Sequence, residues 1–208
     1  MSLDMPMIIL PAAVVLFLAL LVGLPMVRLR MRTGVWGIVV RNNDPGVETF
    51  VRYSTVGVLA GVAVWSVLVV TVSASGLAIW PCPAWLGNVG IGLLAVGFAV
   101  IAIAQAQMGA SWRIGIDDEP TGLVTHGLYR FVRHPIYTGI LALFAAIVCL
   151  TPSPWTVSGL VLGAVMIGLQ SRLEDDHVKS QHPTEFALWA ARVGRLIPGL
   201  GRLGKRTP

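Results

Sequence analysis

The chain has 208 residues, of which 55% are hydrophobic and 12% are charged. Soluble domains carry about 25% charged residues, so this composition excludes an ordinary soluble domain and is typical of an integral membrane protein. The formal net charge is +5. No basic soluble module carries that charge, so we expect no nucleic-acid partner and attribute the charge to orientation in the bilayer and contact with anionic lipid.

Long uncharged segments predict the transmembrane helices. A helix needs about 20 apolar residues to cross a hydrocarbon core of about 30 Å, and no Asp, Glu, Lys or Arg occurs in 5–27, 53–112 or 135–171. We therefore predict an all-α integral membrane protein with a short C-terminal helical hairpin and a helical tail. The five predicted spans cover about 5–27, 54–78, 86–108, 136–151 and 155–171.

The basic residues predict the orientation of these spans. With the N-terminus outside, all 15 Lys and Arg residues lie in the inner loops and the tail, as the positive-inside rule requires. The first span is not a cleavable signal, because its arginines follow the apolar run instead of preceding it. We expect a multi-pass protein of the cell (inner) membrane, with its C-terminus and its chemistry on the cytoplasmic side.

Residues 1–104 are predicted to contain spans one, two and most of span three, and residues 105–208 to contain the chemistry. Within the second region we expect the hairpin, 136–171, and two tail helices at about 172–180 and 184–193. The second tail helix places Phe186, Trp189 and Val193 on one face, which lies against the bilayer or caps the bundle.

Glycine spacing and cysteine position give two smaller predictions. Gly57-x-x-x-Gly61 and Gly159-x-x-x-Gly163 match the small-residue pattern of closely packed membrane helices. Cys82 and Cys149 are both predicted near the outer surface. A disulfide is possible if that side is oxidising, but two free thiols are favoured.

Polar residues collect where spans three and four meet the inner surface. Gln107, at the end of span three, is placed to bond a ligand or a neighbouring helix. Pro135 suits the first turn of a helix, so span four begins near His134, and its free N–H groups with Arg133 favour an anion. The alternative for Arg133 is anchoring to lipid headgroups.

The end of span five completes this group. Spans four and five form one hairpin, so their inner ends are neighbours, and we expect Arg133 and His134 to lie near Arg172 and Glu174. The histidine spacings do not match a helical metal-binding pair, so no metal is expected.

The motifs resemble those of the isoprenylcysteine carboxyl methyltransferase family, which looks related to the phospholipid N-methyltransferases. They cover about 105–198, and they are Met108-Gly109-x-x-Trp112, Leu123-Val-x-x-Gly127-x-Tyr129-x-x-x-Arg133-His134-Pro135-x-Tyr137-x-Gly139, Arg172-x-Glu174-Asp175, Phe186-x-x-Trp189 and Arg195-Leu-Ile-Pro198. The resemblance implies a membrane methyltransferase that uses S-adenosylmethionine, releases S-adenosylhomocysteine, and takes a lipophilic acceptor from the bilayer.

The resemblance also implies the site residues. Glu174 is expected to bind a polar or cationic part of the cofactor, and Arg133 to face the reacting groups. These two are the predicted catalytic residues. The predicted cofactor-binding residues are Gln107, Leu123, Val124, Gly127, Leu128, Tyr129, His134, Pro135, Tyr137, Arg172, Glu174 and Asp175.

Two departures from the family pattern leave the acceptor open. The family's acidic pair is usually Glu-Glu, and here it is Glu174-Asp175. The family's usual tail, Phe-Gly-x-x-Tyr-x-x-Tyr, reads Phe186-Ala-Leu-Trp189-Ala-Ala-Arg192 here. A carboxylate acceptor needs only orientation, for example by a bidentate Arg. An amine or hydroxyl needs a base, and His134 or Glu174 is placed to serve.

Two other functions remain as alternatives: a membrane reductase that uses NADPH on a similar scaffold, and a non-enzymatic membrane protein that binds lipid through its arginines. The sequence leaves the oligomeric state open.

Overall fold

The computed structural model describes residues 4–34, 80–109 and 122–204, together with Val67 and Thr71. The described residues form helices and irregular segments, and the pairing of Val132 with Gly194 is an isolated bridge, not a strand. The helical class is therefore confirmed for the described part of the chain. The second predicted span, 54–78, lies outside it except for Val67 and Thr71, and so does the pair Gly57 and Gly61.

The first helix is longer than its predicted span. It runs as α1 (Asp4–Leu18), a π-helical turn (Ala19–Gly23) and α2 (Leu24–Thr33). Pro25 lacks an N–H and crowds the preceding turn of a helix, so the regular α-helical hydrogen bonding is interrupted before it. The π turn Ala19–Gly23 is this interruption. Gly34 ends α2 in the left-handed conformation, with its N–H donating to the Arg30 carbonyl.

The described ranges from residue 80 onward contain four further helices: α3 (Ala84–Met108), α4 (Pro135–Leu150), α5 (Pro154–Gln181) and α6 (Pro183–Ala190). The last three begin at a proline, whose missing N–H costs nothing in a first helical turn. Ser153 also caps α5 reciprocally with Thr156. Helices α4 and α5 form the predicted hairpin, and α3 runs across the predicted boundary at residue 104.

The tail prediction was wrong in one respect. No separate helix occupies 172–180, because α5 continues without a break to Gln181. The next helix breaker is Pro183, and the residue before a proline is pushed out of the helical conformation. The second tail helix is shorter than predicted, since α6 ends at Ala190.

Two described helices are long and apolar enough to cross a membrane by length and composition: α3, with 25 residues, and α5, with 28. Helix α4 is apolar but shorter. Helix α5 exposes a row of large apolar side chains, with Leu162 at 66% and Val165 at 55% of full exposure. Apolar surface of this kind is rare in water and normal against lipid, which supports a membrane location.

Close contact of α3 with α4 forms the core. A Cβ atom on Gly97 would lie 3.0 Å from the Gly139 carbonyl oxygen, and one on Gly139 would lie 2.8 Å from that of Gly97. Leucine, isoleucine and alanine side chains pack along the same seam, and Phe17 from α1 packs against it.

Of the predicted glycine pairs, Gly163 lies against the Phe144 ring. Both cysteines are free thiols.

Replacing Gly97 by Ala should destabilise the protein. The new methyl would approach Gly139 and Leu143 too closely, and overpacking of this kind costs about 1–3 kcal/mol. The matched control is Gly92→Ala on the same helix, where nothing lies within 4 Å of the added atom. Thermal unfolding in detergent should show a lower Tm for Gly97→Ala only. Equal Tm values for the two variants would contradict the glycine contact.

Candidate functional site

The site lies where the end of α3, the start of α4 and the end of α5 meet the tail, which from here on means residues 191–204 after α6. A 3₁₀ turn, Gly127–Arg130, enters it from the N-terminal side of α4. Gly127 has a φ of 60°, and any Cβ there would overlap the Gln107 amide. The Gln107 Oε1 atom accepts the Leu128 N–H at 2.9 Å. Gln107 therefore fixes the turn, which favours the neighbour-bonding alternative over direct ligand binding.

Residues 194–196 of the tail are hydrogen-bonded to the start of α4. Backbone N–H groups of Arg133 and His134 donate to the carbonyls of Gly194 and Arg195, at 2.8 and 3.1 Å. The Thr138 hydroxyl donates to the Leu196 carbonyl at 2.7 Å. Between α6 and the 3₁₀ turn, the indole N–H of Trp189 donates to the Tyr129 carbonyl at 3.0 Å.

Helix α6 caps the bundle. Phe186 and Val193 are buried, at 1% and 6% of full exposure, and Trp189 packs edge-on against Phe186. Of the two positions considered for this face, the structure thus shows packing against the protein and not against the bilayer.

Arg133 is buried with every donor occupied. Its Nε and Nη2 atoms donate to the two carboxylate oxygens of Asp175, at 3.1 and 2.8 Å. Its Nη1 atom donates to the carbonyls of Val193 at 2.6 Å and Ala190 at 3.5 Å, and Nη2 also donates to that of Gly201 at 3.1 Å. A guanidinium has five N–H donors. This differs from the prediction that Arg133 orients the acceptor, because no donor is left for one.

The acceptor positions of the Asp175 carboxylate are also all occupied. Its Oδ1 atom lies 2.9 Å from His134 Nε2 as well as bonding Arg133 Nε. Its Oδ2 atom accepts from Arg133 Nη2 and, at 2.9 Å, from Arg195 Nε. A carboxylate offers about four lone-pair sites, and all are used. The prediction that Asp175 binds the cofactor therefore disagrees with the geometry.

Glu174 is the accessible member of the acidic pair. Its side chain is 37% exposed, against 5% for Asp175. Its Oε1 atom accepts the Tyr137 hydroxyl and, at 3.3 Å, the Gln170 amide. Its Oε2 atom lies 3.3 Å from His134 Nδ1. Glu174 thus has one oxygen with remaining acceptor capacity.

His134 lies between the two carboxylates. Both ring nitrogens can donate only when the imidazole is protonated. Burial alone lowers the pKa of His134, but its hydrogen bonds to Asp175 and Glu174 outweigh that effect and raise the pKa above 6.5. Nearby, burial and the Glu174 charge raise the pKa of the Tyr129 hydroxyl, so that group stays neutral. The arrangement favours a cationic ring between two anions.

The remaining predicted residues are less closely grouped. Leu123 and Val124 are half-buried in a segment without regular secondary structure, and Pro135 is buried at the start of α4. Arg172 is exposed on α5, and no hydrogen bond or ion pair joins it to His134 or Arg133 in the described ranges. Within those ranges no three metal-ligating side chains cluster.

Sequence reasoning missed Arg195. It belongs to the motif Arg195-Leu-Ile-Pro198 that the resemblance includes, but nothing in its spacing connects it to Asp175.

Gly127→Ala should destabilise the 3₁₀ turn. Left-handed backbone costs an Ala about 1–2 kcal/mol, and the new methyl would also displace Gln107. Gly122→Ala is the matched control, because that glycine has open space around it. Unfolding free energies should fall for Gly127→Ala alone. A Gly127→Ala protein as stable as the control would show that the turn does not need glycine.

Comparison with known proteins points to one family. The phospholipid methyltransferase family matches residues 85–185. Protein-S-isoprenylcysteine O-methyltransferase A of Arabidopsis thaliana is 42% identical over 60 residues, which are 27% of this chain and 30% of that protein. The matched segment is thus less than a third of the relative's length.

A solved structure shares the fold. The eukaryotic intramembrane Ras methyltransferase, isoprenylcysteine carboxyl methyltransferase, solved without a monobody, superposes with a TM-score of 0.59. The superposition covers 94% of this chain and 68% of that chain, at 17% sequence identity. Together with the motif around Arg133-His134-Pro135, these matches confirm the predicted resemblance: over residues 85–185 the chain is similar to the phospholipid methyltransferases, and it shares the fold of isoprenylcysteine carboxyl methyltransferase.

Proposed function

We propose that the chain is a membrane methyltransferase that uses S-adenosylmethionine and acts on a lipophilic acceptor. The observation that carries the proposal is the half-exposed Glu174 carboxylate, oriented by His134 and Tyr137, inside the region that matches a methyltransferase family. The cofactor carries a sulfonium and an ammonium group. A carboxylate with a free lone pair beside water-accessible surface is a suitable partner for such a cation.

The residues around Glu174 extend this site. We assign cofactor binding to Glu174, His134 and Tyr137, with Pro135, Leu128 and Tyr129 as the adjoining surface. The segment 122–126 before the 3₁₀ turn contributes backbone groups, since no backbone hydrogen bond joins Leu123 or Val124 to another described residue. We propose that residues 105–208 are the catalytic region and contain the whole cofactor site.

The proposed mechanism rests on positioning. When bound, S-adenosylmethionine supplies a methyl group activated by a sulfonium sulfur. Because methyl transfer is an in-line displacement, holding the two reactants in line supplies much of the rate acceleration. Glu174 binds the cationic part, and the protonated His134 ring holds Glu174 in place. For an amine or hydroxyl acceptor, Glu174 is the better proton acceptor, because both nitrogens of His134 already face carboxylates.

S-adenosylhomocysteine should stabilise the purified protein. A ligand that binds only the folded state at a hundredfold excess over its Kd stabilises it by about 2.7 kcal/mol, which a thermal shift assay detects. NADPH should have no effect. A shift with NADPH and none with S-adenosylhomocysteine would establish the reductase alternative, and no shift with either would favour the lipid-binding one.

The same assay tests Glu174. Glu174→Gln keeps the shape but removes the charge, and it should weaken S-adenosylhomocysteine binding about tenfold, as the loss of one hydrogen bond to a charged group predicts. Asp176→Asn is the matched control on the same helix, because Asp176 is exposed. Equal affinities for the two variants would remove Glu174 from the site.

We also propose the orientation N-terminus outside and C-terminus in the cytoplasm, in the cell (inner) membrane, on the basis of the one-sided Lys and Arg distribution. A fluorescent reporter that folds only in the cytoplasm should be bright when fused to the C-terminus. A full-length, membrane-inserted fusion without fluorescence would contradict this orientation.

A further inference from the structure

We propose that Arg133, Asp175 and Arg195 form a tail clamp, a positioning device that holds the segment 190–201 against α4 and α5 and thereby orients His134 and Glu174. The inference rests on the proposed function for its effect on the cofactor. None of the three residues is assigned a contact with cofactor or acceptor.

The first argument is how Arg133 divides its donors. Two N–H groups bind Asp175, and the other three bind the carbonyls of Ala190, Val193 and Gly201. These carbonyls span the tail from the end of α6 to the turns that follow. Arg133 thus binds the segment 190–201 at three carbonyls, although most of that segment has no regular secondary structure. Lysine, with three donors and no planar fork, cannot replace it.

The second argument is that Asp175 connects the tail to the site. Its Oδ2 atom binds Arg195 from the tail, and its Oδ1 atom binds His134 Nε2. That bond aims the other ring nitrogen, Nδ1, at Glu174. Displacement of the tail therefore changes the environment of Asp175, then the ring of His134, and then the carboxylate assigned to the cofactor.

The third argument is the cost of an incomplete clamp. Breaking a buried ion pair by removing one partner is strongly destabilising, because it leaves a buried charge without compensation. The Arg133 side chain is fully buried and that of Asp175 is 5% exposed, but that of Arg195 is 22% exposed. Arg195 is therefore the member that can be removed with the least risk to folding.

The experiment measures tail docking and cofactor affinity separately, on the full chain in lipid nanodiscs. Hydrogen exchange reports docking through the amides of Arg133, His134 and Leu203, all bonded to tail or α6 carbonyls. In Arg195→Gln these amides should exchange about tenfold faster, the effect expected when a hydrogen bond to a charged group is lost. Arg192→Gln, an exposed arginine of the same tail, should leave them within about twofold.

The affinity of each variant for S-adenosylhomocysteine tests whether the clamp positions His134 and Glu174. Arg195→Gln should lower it about tenfold, matching the change in docking. Arg195→Lys should restore both readouts, because Arg195 donates a single bond that an ammonium group can make. Arg133→Lys should restore neither.

The outcomes are distinct. Unchanged exchange in Arg195→Gln would overturn the clamp. Faster exchange with unaltered affinity would overturn its positioning role. If the wild type binds no S-adenosylhomocysteine, the proposed function fails and the positioning role fails with it, while the exchange comparison still decides whether the tail is clamped.

Discussion

One buried carboxylate holds the C-terminal half of this molecule together. Asp175 takes hydrogen bonds from Arg133, His134 and Arg195, which come from the loop before α4 and from the tail. Charge in a low-dielectric interior is stable only when it is paired and fully hydrogen-bonded, so these segments have little freedom to separate. The helical hairpin supplies the frame, and this ion pair fixes the polar residues on it.

Much of this arrangement could be predicted from the sequence. The uncharged segments locate α3, α4 and α5, and a short hairpin requires its two ends to be neighbours, which brings His134 to Glu174. Which of two adjacent acidic residues points inward could not be predicted, because neighbouring helical positions differ by about 100° in direction and depend on packing. Arg195 could not be predicted either, since irregular turns carry no periodicity that connects residue 195 to residue 175.

The close glycine contact between α3 and α4 was missed for a related reason. Small-residue patterns within one helix find faces such as Gly159-x-x-x-Gly163, but Gly97 and Gly139 lie on different helices and meet only in the fold. The seven-residue spacing of Gly90, Gly97 and Ala104, all buried, is a pattern that could have identified the α3 face. Close backbone approach there matters to the site, because α3 carries Gln107 and α4 begins at Pro135, directly after His134.

The different surroundings of Glu174 and Asp175 also explain why the second residue of the acidic pair is Asp and not the usual Glu. The resemblance expects Glu-Glu, and the residue that differs is Asp175, not Glu174. In this structure Asp175 is the saturated, buried member, whose requirement is a length that lets its two oxygens meet Arg133, Arg195 and His134 together. The shorter side chain meets that requirement. The accessible member, Glu174, retains the family's residue, so the change falls on the supporting ion pair and leaves the carboxylate assigned to the cofactor unaltered.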